Sequence, residues 1–237
     1  MIGLGTVVNA AAIVAGGLLG LACKRLISER LQDALIKATG VCVLFLGTAG
    51  ALAEMLAVSD GKLSVSGSRM LILSCALGAL VGEWIDIEGA FERLGVRLRA
   101  AAHAQGDARF LDGFLTASLT VCIGAMAIVG AIRDGLLRDP SLLIAKAILD
   151  FIIVLVMSAS MGKGCLFSAV PVALLQGTVT ALAGLLSPVM TDAAISGISL
   201  VGSVLIFCVG VNLVWGKRIR VANLLPAIVF AAAFSFI

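Results

Sequence analysis

Apolar runs of about twenty residues recur along almost the whole chain, at residues 2–23, 34–55, 69–85, 112–132, 141–161, 165–186, 193–215 and 221–237. At 1.5 Å of rise per residue, a helical run of that length crosses a hydrocarbon layer of about 30 Å. Lipid offers the backbone no hydrogen-bond partner, so a chain that crosses repeatedly does so as helices or as a closed barrel. These runs do not alternate apolar and polar residues as barrel strands do. They predict an all-α, polytopic helical membrane protein of about eight transmembrane helices. Charged residues make up only 13% of the 237 positions, against roughly 25% in a soluble domain. The first run starts next to Met1 with no basic stretch before it, which argues against a cleaved signal peptide.

Residues 86–109 are the one long polar segment. Ile87, Phe91, Leu94 and Leu98 recur at helical spacing opposite Glu88, Glu92, Arg93, Arg97 and Arg99. The pattern fits an amphipathic helix that lies on the membrane surface or links two spans with one face wet. His103, the single histidine, falls in this segment, so a bis-histidine haem or histidine-rich metal site is not expected. Six cysteines stand one per span or boundary without C-x-x-C spacing and read as small apolar residues. No cofactor and no metal is expected. Gly16 with Gly20, and Gly78 with Gly82, have the spacing of close helix–helix faces, which leaves a homodimer open. Trp84 suits an interfacial position, and Ser28 suits a helix N-cap.

The fifth run carries Lys146 and Asp150 well inside it, one turn apart on one helix face. Asp150 lies about 15 Å from Pro140, near the middle of the hydrocarbon. A charge at that depth costs several kcal/mol unless it is paired or wetted, which marks a functional site or a structural ion pair. The fourth run, joined to the fifth by a turn over residues 133–140, adds Thr116, Ser118, Thr120 and Gly124. Gln176 near the middle of the sixth run and Asn9 in the first supply further polar groups. Substrate- or ion-binding candidates are therefore Lys146, Asp150, Thr116, Thr120, Gly124, Gln176 and Asn9. Glycine-rich threonine faces also serve ordinary helix packing.

Basic residues between the spans are unevenly distributed. Lys24, Arg25, Arg30, Arg93, Arg97, Arg99, Arg109, Lys163, Lys217, Arg218 and Arg220 follow odd-numbered spans. Lys62, Arg69, Arg133 and Arg138 follow even-numbered ones. The positive-inside rule puts the richer side in the cytoplasm and both termini outside. Residues 16–47 and 180–210 share a span ending in Gly-Leu, a short loop and a second span closing on an aliphatic-x-Phe-x-Gly pattern. GKLSVSGSRMLIL from Gly61 likewise faces GKRIRVANLLPAI from Gly216. Spans one to three then match spans six to eight. An inverted 3+2+3 repeat follows: residues 1–85, a linker at 86–110, a central hairpin at 111–162 and residues 165–237, all in one transmembrane domain (1–237).

The stretch DGFLTASLTVCIGAMAIVGAIRDGL, then LLIAKAILD and LFSAVPVALLQG, with the opening IGLGTVVNAAAIVAGGLLG and the closing VGVNLVWGKRIRVANLLPA, resembles the bacterial integral-membrane family of domain of unknown function 554, the YqgA-like proteins. The resemblance covers nearly the whole chain. It implies a polytopic bacterial inner-membrane protein with no established activity. The family's Gly-Ala-Met-Ala-Ile-Val-Gly run corresponds to residues 124–130, its Lys-x-x-x-Asp to Lys146 and Asp150, and its Asp-Gly turn to Asp134 and Gly135. Arg133 departs from the uncharged residue expected there, which puts any role of that position in doubt.

The residues favour a small-solute or ion transporter with a polar midplane site around Lys146 and Asp150. Asp150 would bind a cation or proton, and Lys146 would tune it or hold an anionic group. A non-catalytic membrane subunit, or a structural membrane protein, is the alternative. No enzyme is expected: H-E-x-x-H and G-x-G-D are missing, and the histidine lies outside the spans. The expected partners are the lipid bilayer and a small solute or ion, with no nucleic acid.

Overall fold

A computed structural model describes residues 2–24, 28–59, 62–234 and 236. Arg25 of the first basic loop, Gly61 at the start of a repeat match and Ile237 at the end of the eighth run lie outside the described residues.

The elements follow the apolar runs closely. They are α1 (Leu4–Lys24), α2 (Glu29–Met55), a hairpin of β1 (Leu56–Ser59) and β2 (Lys62–Val65), α3 (Ser68–Ile85), α4 (Ile87–Ala101), α5 (Phe110–Cys122), α6 (Ala125–Leu137) and α7 (Ser141–Met161). After a 3-10 stretch, Lys163–Ser168, come α8 (Ala169–Ala181), α9 (Ala183–Leu186), α10 (Asp192–Trp215) and α11 (Pro226–Phe234). Among the described residues, six helical segments are long and apolar enough to cross a membrane. The fourth expected span differs from a single helix. It is a broken pair, Phe110–Cys122 and Met126–Leu137, bent by 61°. Gly124, with φ 137°, lies in the break, in a conformation that side-chain-bearing residues rarely adopt. The eighth expected span is a shorter apolar helix, Val221–Phe234. The loop expected around Lys62 is the hairpin, with Leu56 opposite Val65 and Ser59 opposite Lys62.

Many large apolar side chains are exposed, and several polar ones are buried alongside the apolar core. Phe45, Leu80, Leu185 and Val229 are among the large exposed hydrophobics, while Asn9, Ser74, Ser118, Ser158 and Gln176 are buried. On helices of membrane length, an apolar surface this extensive fits contact with lipid. Trp84, 87% exposed, extends from the end of α3 as an interfacial anchor should.

The chain divides into two compact units. The first comprises Met1–Thr39, Gly89–Cys122 and Met126–Leu186. Its centre is α1, packed in parallel on α7. Gly16 lies against the Phe151 backbone and Gly20 against the Leu155 carbonyl and Ser158, so a methyl group at either would collide with main chain. The first G-x-x-x-G face thus does what its spacing predicts. Gly17 meets Leu166, which sets α1 beside the start of α8. Ser28 Oγ accepts the Leu31 N–H at 3.4 Å, a side-chain cap on the first turn of α2. The apolar stripe of α4 is partly covered by protein. Phe91, Leu94 and Leu98 pack against the buried Phe110, Phe114 and Leu115 of α5.

The second unit comprises Gly40–Glu88, Ile123–Ala125 and Ser187–Ile237. Here α2 and α10 run antiparallel, with Gly40 against Val214, Gly47 against Phe207 and Gly50 against Ser203. Likewise α3 and α11 run antiparallel, with Gly78 on Ala227 and Gly82 on the Asn223 backbone. Thr191 caps α10 by accepting the Ala194 N–H. The turn between α3 and α4 meets the loop before α11. Arg220 donates to Glu83 and Asp86, each at 2.6 Å, and Lys217 pairs with Glu88 at 2.7 Å. Asn223 Oδ1 accepts the Glu88 N–H, and Asn212 Oδ1 accepts the N–H groups of Arg218 and Ile219.

Candidate functional site

The site begins with where α7 starts. Asp139 accepts from the Ser141 backbone N–H and hydroxyl and from Arg133, and so fixes the first turn of α7. The Ser141 hydroxyl, followed by its N–H and the Arg133 guanidinium, holds the Asp139 carboxyl below its ordinary range. From that start, Lys146 and Asp150 fall on the buried face of the helix, 6% and 3% exposed.

Lys146 Nζ donates to Asp150 Oδ1 at 2.8 Å and to Oδ2 at 2.6 Å. Its third hydrogen bond goes to the Val121 carbonyl at 2.8 Å. This last contact follows from the break. A helix leaves its last carbonyls without intrahelical partners and its C-terminus partly negative. Because α5 stops at Cys122, Val121 is one of those carbonyls, and the ammonium caps it. Asn9 of α1, fully buried, donates from Nδ2 to Asp150 Oδ2 at 3.0 Å, while its own Oδ1 has no hydrogen-bond partner. Three helices, α1, α5 and α7, therefore converge on one ion pair.

The structure brings together Asn9, Lys146 and Asp150 from the sequence-predicted set. Thr116 and Thr120 lie on α5, where the Thr120 hydroxyl bonds back to the Thr116 carbonyl at 2.7 Å. Gly124 marks the break itself. Gln176 on α8 is 1% exposed, with neither its side-chain oxygen nor its nitrogen partnered. A surface groove on α1 is lined by Thr6, Ala10, Val14 and Ala173 of α8, and by neither Lys146 nor Asp150. A second, lined by Lys24, Glu29, His103, Asp107, Arg109 and Lys163, gathers loops that follow spans one, three and five onto one side.

Two participants escaped the sequence. The Val121 carbonyl is backbone and carries no side-chain signal. Asp134 was visible only as part of an Asp-Gly turn. It is fully buried, and its Oδ2 accepts the Gly5 N–H at 2.9 Å, at the N-terminus of α1. Thr180 of α8 donates to the Ala131 carbonyl one turn earlier on α6. The usable sign was an acid just past the end of the apolar run 112–132, within reach of the helix that the structure extends to Leu137.

Lipid-facing apolar helices around a buried, hydrogen-bonded charge pair define a polytopic helical membrane protein. The chain belongs to the family Protein of unknown function (DUF554), whose model matches residues 4–236. It is 27% identical over 236 residues to "Uncharacterized protein YqgA" of Escherichia coli (strain K12), covering 98% of this chain and 96% of that one. It is 28% identical over 233 residues to "Uncharacterized membrane protein YdfK" of Bacillus subtilis (strain 168), with the same coverage. No solved structure matches it.

Proposed function

We propose that the chain is a transporter of a small solute or ion in the bacterial inner membrane, with the Asn9–Lys146–Asp150 cluster at its binding site. The broken span carries this reading. Carriers hold their solutes where a helix is interrupted inside the membrane, because its free backbone ends and a few buried charges supply ligands there. In this chain the interrupted end of α5 and the buried Lys146–Asp150 ion pair are bonded to each other. The packing of α2 on α10 and of α3 on α11 supports the inverted repeat, since each matched pair is antiparallel. The basic loops would face the cytoplasm and both termini the outside.

The alternative is a structural membrane protein or a non-catalytic subunit. It draws on the saturation of Lys146, whose three hydrogen bonds are all made within the protein. Currents from proteoliposomes on a solid support, after jumps in protons, sodium or small organic anions, separate the two. A transporter gives a current that Asp150→Asn abolishes at equal reconstitution. A strut gives none beyond empty liposomes, and Asp150→Asn then destabilises the protein.

A further inference from the structure

The ion pair on α7 is neutral as a unit, but Asp134 is not matched in this way. Its side chain is 0% exposed, its Oδ2 takes the Gly5 N–H, and its Oδ1 has no hydrogen-bond partner. Gly5 and Asn9 stand one turn apart on the same face of α1, so the carboxylates they hold, Asp134 and Asp150, are spaced by roughly 6 Å along that helix. The hydroxyl of Thr6, the next residue of α1, is also buried without a partner.

The charged groups on the elements packed around Asp134 are few. Among the described residues, α1 carries only Lys24, at its far end, and α8 carries none. On α6 the other charge is Arg133, half exposed and bonded to Asp139. On α7 they are Lys146 and Asp150, already paired. The described residues of the first unit therefore bury two carboxylates against one ammonium. The N-terminus of α1 offsets about half a charge, which leaves the balance negative. A buried group in that position takes up a cation or loses its charge.

We propose that Asp134 is the seat of an exchangeable monovalent cation, a proton or sodium, held at Oδ1 while Oδ2 stays on the Gly5 N–H. The Lys146–Asp150 pair is then the fixed partner one turn deeper. The role of this cation, driving solute movement, rests on the transport reading; its binding does not.

The test is the thermal stability of the purified full chain in nanodiscs. Sodium is exchanged for choline, and pH is varied separately in sodium-free medium. Withdrawing the bound cation lowers Tm by roughly 5–10 °C, the loss of about a hundredfold excess over Kd. A response to the choline exchange identifies sodium, and a response to pH alone identifies the proton. Asp134→Asn abolishes the response, and Arg220→Ala, at the exposed cluster of the second unit, retains it. A wild type with the same Tm in every medium overturns the proposal. So does an Asp134→Asn protein that still responds, or an Arg220→Ala protein that does not. Should Asp134→Asn fail to fold, Asp134→Ser, which keeps an acceptor for the Gly5 N–H, takes its place. Cation-linked stability without flux sinks the transport reading and leaves this site standing; flux without cation linkage does the reverse.

Discussion

The first unit buries the ion pair Lys146–Asp150, whereas the second holds the Arg220 cluster in the open and, beside it, pairs an exposed Lys217 with a buried Glu88. Lys146 and Asp150 have side chains 8% and 4% exposed, whereas Arg220, Glu83 and Asp86 are each about half exposed. The distances are nearly the same, 2.6 Å in all three contacts. Geometry therefore does not distinguish them; surroundings do. Water solvates the Arg220 cluster whether or not it is paired, so its net value is small. No such reference exists for Lys146, where losing either partner strands a charge among helices. The contrast shows which charges the fold depends on and which merely join a loop to a turn.

The largest effect should come from breaking the buried pair. Lys146→Met alone should cost about 3–5 kcal/mol by leaving Asp150 unpaired. Lys146→Met with Asp150→Leu should recover most of that loss, as read by thermal unfolding in detergent. A double variant no more stable than the single one would mean that the pair is not a unit. Next comes Asn9→Leu, which removes one hydrogen bond to a charged acceptor at about 1.5–3 kcal/mol. An Asn9→Leu protein as stable as wild type would show that Lys146 alone satisfies Asp150.

Arg220→Ala should shift Tm far less than either, and the shift should vanish at high salt, where exposed charges are screened. A salt-independent loss would place the Arg220 cluster with the buried pair after all. The smallest expected effect lies at Asp139. Its folded carboxyl sits below the ordinary value of 3.8, so its contribution is present above the unfolded range and is lost as pH falls through the folded one. Titration of Asp139 followed by NMR should therefore show a midpoint below 3.8, and Ser141→Ala should raise it. An unchanged midpoint in Ser141→Ala would remove the hydroxyl as its main cause.

The sequence made the helices legible because apolar runs of membrane length leave the backbone few alternatives. It placed α7 to the residue, and the Gly16 and Gly20 face correctly, since both depend on local spacing. Asn9 joining Lys146 and Asp150 follows from the cost of polar groups in lipid, which drives them together. The break at Gly124 was harder to see. A glycine inside an apolar run reads as packing, and only tertiary partners for the freed carbonyls make an interruption stable. The hairpin of β1 and β2 reads as plain loop in the sequence because its strands are only four residues each, too short to stand out beside the apolar runs. Asp134 was hidden because its partner is a backbone N–H 129 positions away.

The proposed transport reading requires that water reach the end of α5 beside Lys146 at some stage of the cycle. Cys122 is the native probe, next in sequence to Val121 and half-buried. With the other five cysteines replaced by alanine, vesicles of each orientation are exposed to a membrane-impermeant thiol reagent. A transport site at the break should let Cys122 react from either side of the membrane, and Asp150→Asn should change the balance between the two. A Cys122 that stays inert from both sides in the folded protein, yet reacts fully once unfolded, would contradict the account and leave the pair as a strut.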